Sequence, residues 1–130
     1  LRDRGVQYVR FWTSGELYQL GKLYLGHGAF ATQNHAAKHV RDFGVCLGYG
    51  HVHDVQAYSI KRRGKNETLM AQSFGCLCQY DQPYLRGRPT NWTHAFGIVY
   101  LFPDGYFEHL VVQIHKHRFV GPTTGKVYAG

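Results

Sequence analysis

Two short apolar runs, Lys22-Leu23-Tyr24-Leu25 and Val45-Cys46-Leu47-Gly48-Tyr49, each lead into a glycine-flanked histidine, with a helical stretch between them. Strand, helix and strand in such quick succession make a βαβ unit. Its two strands should be parallel neighbours, with their carboxyl ends at one edge of a sheet, where ligands bind. The first run ends in Gly26-His27-Gly28 and the second in Gly50-His51-Val52-His53-Asp54. Glycine lets the backbone turn sharply there and come close to a ligand. His51 and His53 stand two residues apart, which in extended backbone puts both imidazoles on one side. Three imidazoles meeting at a sheet edge outline a site for Zn²⁺, Mn²⁺ or Fe²⁺.

Between the runs, Thr32 can cap a helix that continues through residues 34–43 and stops at Gly44. The later chain changes character. Residues 56–60, the basic turn Lys61-Arg62-Arg63-Gly64-Lys65 and residues 68–72 read as an antiparallel hairpin. A second hairpin joins residues 96–102 to 106–114 through Pro103-Asp104-Gly105, because Asp-Gly favours tight turns. The expected fold class is therefore α+β, a βα unit followed by mainly antiparallel strands. The opening, with Tyr8, Phe11 and Trp12 among charged residues, is irregular and suggests no element.

With 130 residues, 44% of them hydrophobic and 15% aromatic, a disordered or collagen-like chain is excluded and one domain over residues 1–130 is expected. The net charge of +7 favours anionic partners, phosphate esters or nucleic acid. Three cysteines leave at least one thiol unpaired, which points to a reducing, cytoplasmic compartment. No apolar run is long enough to span a membrane. The chain opens on Leu1 rather than Met and reads as a processed or truncated piece.

Each other polar constellation has two readings. The short His51-x-His53 motif is commonly incidental surface histidine, and the flanking glycines and apolar strands argue for the ligand reading. Asp54 is either an acceptor that fixes an imidazole or a turn residue. His35 and His39 have the i, i+4 spacing of zinc proteases, but Ala36 stands where that motif needs glutamate. They read as helix-surface or packing residues, the alternative being that one of them lines the site. His115-Lys116-His117 reads as a solvent-facing strand end. Cys76-Leu77-Cys78 is too tight for a zinc ribbon and reads as buried thiols. The loop from Arg86 and Arg88 to Asn91-Trp92-Thr93-His94 could cover the substrate end of the site, its arginines and His94 binding phosphate, or be a structured loop closed by a half-buried Trp92.

Gly26-His27-Gly28, then Gly50-His51-Val52-His53, then Ala71-Gln72-Ser73-Phe74-Gly75 resembles, in order, the carboxy-terminal half of calcineurin-like metallophosphoesterases. Gly75-Cys76-Leu77-Cys78, Arg88-Pro89-Thr90-Asn91-Trp92 and His94-Ala95-Phe96-Gly97 look like its bacteriophage-type and bacterial members, and the resemblance runs over residues 20–118. It implies a β-sandwich flanked by helices, with two divalent ions at the strand ends. It further implies that His27 and His51 bind one ion and His53 the other. The family's Asp-x-His, Gly-Asp-x-x-Asp and Asn-His-Glu/Asp motifs are absent from these residues. A bridging carboxylate is needed to hold two close dications, so a two-ion site would need a second chain or a missing amino-terminal segment. The expectation is a metal-dependent phosphoesterase completed in that way. The alternatives are a non-catalytic module binding metal or nucleic acid, and a single-ion hydrolase assembled as a homo-oligomer with Asp54 or Asp42 as its acid.

Overall fold

The computed structural model describes Arg10 and residues 15–130, so Tyr8, Phe11 and Trp12 of the aromatic opening lie outside the described residues. The chain enters its main sheet as β1 (Tyr18–Leu20), turns, and returns as β2 (Leu23–Gly26). Helix α1 (His35–Phe43) leads to β3 (Cys46–Tyr49), followed by the hairpin of β4 (Ala57–Arg62) and β5 (Glu67–Ser73). A turn of 3₁₀ helix, Pro83–Leu85, precedes β6 (Ala95–Leu101) and β7 (Phe107–Gln113), and the chain closes on β8 (Arg118–Val120) and β9 (Val127–Ala129). The class is α+β, with one α-helix among the described residues.

β2 and β3 pair in parallel, Leu23 opposite Cys46 and Gly26 opposite Tyr49, as the βαβ spacing requires. Both expected hairpins form. The basic run covers the end of β4 and the exposed turn to β5, with Arg62 reaching Glu67 at 3.6 Å. Two arrangements were not evident in the sequence. β5 also pairs in parallel with β3, so a single five-stranded sheet forms in the order β1-β2-β3-β5-β4. β8 and β9 add a small separate hairpin.

Strand alternation sorts the β3 side chains onto two faces. Leu47 and Tyr49 face α1 and form the core with Val40, Leu69 and Ala71. Burying aliphatic side chains of this size contributes roughly 1.5–3 kcal/mol each. Gly48 faces the other way. A Cβ built there would stand 2.6 Å from the Phe74 ring, and one built on Gly97 of β6 would also stand 2.6 Å from it. The ring is thus held between two strands that lack side chains, which brings the second hairpin against the sheet. At the far end the Lys22 N–H donates to the Gly105 carbonyl at 2.8 Å, and the Lys22 ammonium lies over the Tyr106 ring.

The helix starts later than Thr32 suggests. Asn34 is the cap residue and its side chain makes no capping bond. The Gln56 side chain serves instead, accepting from the Ala36 N–H at 2.9 Å and donating to the Gln33 carbonyl at 3.0 Å. A first-turn donor satisfied from another element leaves no local capping signal. The far end behaves as expected: Gly44 is left-handed at φ 65°, its N–H bonded to the Val40 carbonyl.

Candidate metal centre

His27 follows β2, and His51 and His53 follow β3, at the carboxyl ends of the two parallel strands. The Gly50 N–H donates to the His27 carbonyl at 3.1 Å, carrying the contact between strands one residue past their ends. His27 Nε2 lies 3.1 Å from His51 Nδ1, one ring donating to the other. Partial desolvation, followed by the charges of His51 and His53, holds the His27 imidazole below its ordinary value.

The three imidazoles do not close on a single point. Among the described residues, the group of metal-ligating side chains whose ligand atoms all lie within 4.8 Å of one another is His53, Cys76 and Cys78. The rule that places residues two apart on one side assumes extended backbone. His51 and His53 instead have φ values of 68° and 64°, left-handed conformations that are strained for non-glycine residues. The turn sends His51 toward His27 and His53 toward Cys78, whose sulfur lies 3.8 Å from His53 Nδ1. Trp92 packs edge-on to the His53 ring with centroids 4.4 Å apart.

The helix histidines are buried packing residues. His39 Nε2 accepts from the Ala29 N–H at 2.9 Å, and its Nδ1–H donates to the His35 carbonyl at 2.7 Å. Its ring stacks on Tyr49 at 3.9 Å. Through these bonds α1 ties down the loop that follows His27. His35 Nδ1 lies 2.6 Å from the Tyr49 hydroxyl, and its Nε2 lies 3.0 Å from the Asp54 carboxylate. Burial, reinforced by the Asp54 charge, pushes the Tyr49 phenol far up. The Asp54 carboxylate can only accept, so His35 Nε2–H donates to it, and the other ring nitrogen, Nδ1, pairs with the Tyr49 hydroxyl. The Ser73 hydroxyl also bonds Asp54, at its carbonyl (2.8 Å) and its carboxylate (3.2 Å). Asp54 does fix an imidazole, but that of His35, and it braces the base of the His51–His53 turn.

Burial dominates at His39 and lowers its pKa below the ordinary value. The folded chain then binds this proton more weakly than the unfolded chain. The stability contributed by a neutral His39 is complete above about pH 6.5 and is lost progressively as pH falls below that value and through the lower folded pKa. Thermal melts from about pH 7.5 to 5 should show a falling Tm, with a smaller slope in His39→Phe. A Tm that stays level on acidification would contradict this account.

A cleft of about 410 Å³ opens beside this turn, its lining including Gln33, His35, His51, Asp54, Asn91 and Trp92, so one of the two helix histidines does border it. The polar-aromatic loop reaches this cleft through Asn91 and Trp92. Arg86 and Arg88 are exposed and neither lines the cleft. His94 serves the cysteine loop: its Nε2 donates to the Cys78 carbonyl at 2.7 Å, its N–H to the Tyr80 hydroxyl at 2.6 Å, and its ring stacks on Tyr80. A larger groove, about 820 Å³, includes Lys22, Cys46, Glu67 and His109, at the amino ends of the parallel strands, and is lined by none of His27, His51 and His53.

The thiols are half-buried rather than fully enclosed, and all three cysteines are free. Burial, with the Cys78 thiol alongside, pushes the Cys76 thiol up to about 11. The Cys-x-Cys spacing was the available signal for this grouping, and its partner His53 is distant in sequence. Lys116 and His117 are exposed at the tip of a tight turn, both with positive φ. Gly121-Pro122-Thr123-Thr124-Gly125-Lys126 is the loop between β8 and β9, closed by a bond from the Gly121 N–H to the Lys126 carbonyl. No helix of the described residues is long and apolar enough to cross a membrane. No protein-family model, no curated protein and no solved structure matches the chain.

Proposed function

We propose that the chain is part of a metal-dependent phosphoesterase in which His27 and His51 bind one divalent cation. The observation that carries this is the 3.1 Å separation of their ring nitrogens at the carboxyl ends of adjacent parallel strands. Two imidazoles bound about 2.0–2.1 Å from one ion have nitrogens roughly 3.0–3.4 Å apart, so the spacing suits a shared ion once the proton between the rings is released and both lone pairs turn toward it. Manganese, zinc and iron all accept such ligands. A cation held there would supply Lewis-acid charge and lower the pKa of a coordinated water.

The protein's own contribution is positional. His39 and the Gly50–His27 bond fix the His27 loop, while Asp54, held by His35 and Ser73, fixes the His51 turn. Asn91 and Trp92 border the cleft that would receive a phosphate ester, and the charge of +7 favours such an anion. The motif order that resembles calcineurin-like metallophosphoesterases supports the same reaction class. A two-ion site of that family's kind needs further carboxylates, supplied by a second chain or another segment. Three free thiols fit a reducing, intracellular setting.

The +7 charge and the exposed basic turn also support a second reading, a non-catalytic module that binds nucleic acid. Manganese titration of the full chain and of a His27→Ala/His51→Ala variant tests the first reading. One equivalent should bind and then be lost, and a variant binding manganese unchanged would remove it. Nucleic-acid affinity that falls steeply with salt, with no manganese binding in either protein, would favour the module.

A further inference from the structure

Cys76 and Cys78 flank Leu77, which is 71% exposed, and both thiols lie within 4.8 Å of a ring nitrogen of His53. Donor atoms sharing one tetrahedral zinc stand about 3.5–3.8 Å apart, since Zn–S is about 2.3 Å and Zn–N about 2.0–2.1 Å. The observed His53 Nδ1 to Cys78 Sγ distance of 3.8 Å falls at that value. One imidazole and two thiolates form a soft donor set that favours zinc over magnesium or calcium.

The three residues come from two segments, around His53 and around Cys76–Cys78, and backbone hydrogen bonds fix these to each other, partly through residues 93–95. The Thr93 N–H donates to the His53 carbonyl at 2.8 Å, and the Cys76 N–H to the Thr93 carbonyl at 3.0 Å. The Ala95 N–H donates back to the Cys76 carbonyl at 3.1 Å, and the Gly75 N–H to the Asp54 carbonyl at 3.0 Å. His94 holds the far end through the Cys78 carbonyl, and Trp92 covers one edge of the His53 ring. The donors are therefore placed by a rigid frame rather than by a loose loop, as a preorganised site requires.

We propose that His53, Cys76 and Cys78 form a thiolate metal site, separate from the His27–His51 pair, that binds one Zn²⁺ ion. Both thiols give up their protons to solvent on binding, and the fourth tetrahedral position is left to water or an external ligand. This site shares no ligand with the His27–His51 pair, and it places His53 with two thiolates rather than with the second ion that the family resemblance implies.

Cobalt(II) titration of the reduced full-length chain tests the proposal. One equivalent should produce an intense near-ultraviolet sulfur-to-metal charge-transfer band. The band should persist in His27→Ala/His51→Ala and vanish in Cys76→Ser/Cys78→Ser. Zinc affinity in the serine variant should fall by more than the roughly 10–100-fold that follows loss of a partner outside the coordination sphere. Alkylation followed by mass mapping gives a second readout on the unmutated chain, where Zn²⁺ should shield Cys76 and Cys78 and leave Cys46 reactive. A missing band, a band that survives without the two thiols, or equal alkylation of all three cysteines under zinc would overturn the proposal. Loss of manganese binding in the histidine variant with the cobalt band intact bears on the phosphoesterase site alone.

Discussion

Replacing His39 by alanine is expected to lower stability by roughly 3–5 kcal/mol, the range for removing a large buried ring. The side chain has no exposed surface, and its stack on Tyr49 lies against the core of Leu47 and Val40. Truncation leaves a cavity and also strips the Ala29 N–H and the His35 carbonyl of their partner. Chemical denaturation of His39→Ala and His39→Phe separates the two contributions. Phenylalanine keeps the stack and should recover the packing part, leaving a deficit of about 1–3 kcal/mol from unsatisfied backbone groups. Both variants should weaken manganese binding, because the loop after His27 loses its anchor. If His39→Phe proves as stable as the parent chain, the hydrogen-bonding role assigned to this ring is wrong.

Gly75→Ala comes second in expected size, at about 2–4 kcal/mol from left-handed strain combined with overpacking. The residue has φ 74°, and a Cβ there would stand 2.5 Å from the Thr93 carbonyl oxygen and 2.9 Å from the Ala95 Cβ. The nearest obstacle is backbone, which cannot rotate away as a long side chain can. Relief requires separating Cys76 from residues 93–95, where it forms a bridge opposite His94. Denaturation midpoints would measure the stability loss. Zinc-dependent protection of Cys76 from alkylation should weaken in parallel, and unchanged stability would show that the frame yields more easily than its spacing implies.

The histidine positions illustrate what each level of description contributed. That His27 and His51 would lie near each other was legible from apolar runs ending in glycine-flanked histidines around one helix, because parallel pairing leaves the two ends little choice. That His53 would turn away was not. Period-two reasoning holds only while the backbone stays extended, and Gly50 is already the first residue beyond β3. The loop residues divide similarly. Asn91 and Trp92, read either as lying over the substrate end of the site or as part of a structured loop, line the cleft, whereas Arg86 and Arg88, singled out for their charge, face solvent. Charge identifies what a side chain could bind, but the path of the loop decides whether it gets there.

Local chemistry in the sequence was sufficient for the βαβ unit, the Gly44 stop, both long hairpins and the pairing of two histidine-bearing strand ends. Those features depend on near neighbours: apolar alternation, the left-handed tolerance of glycine and the turn preference of Asp-Gly. Tertiary structure alone decided that Gln56 would cap α1, that β5 would lie beside β3, and that His53 would meet Cys76 and Cys78. Each of these joins residues far apart along the chain. The backbone and packing that bring such groups within bonding distance are properties of the whole fold and leave no periodic trace in any one segment.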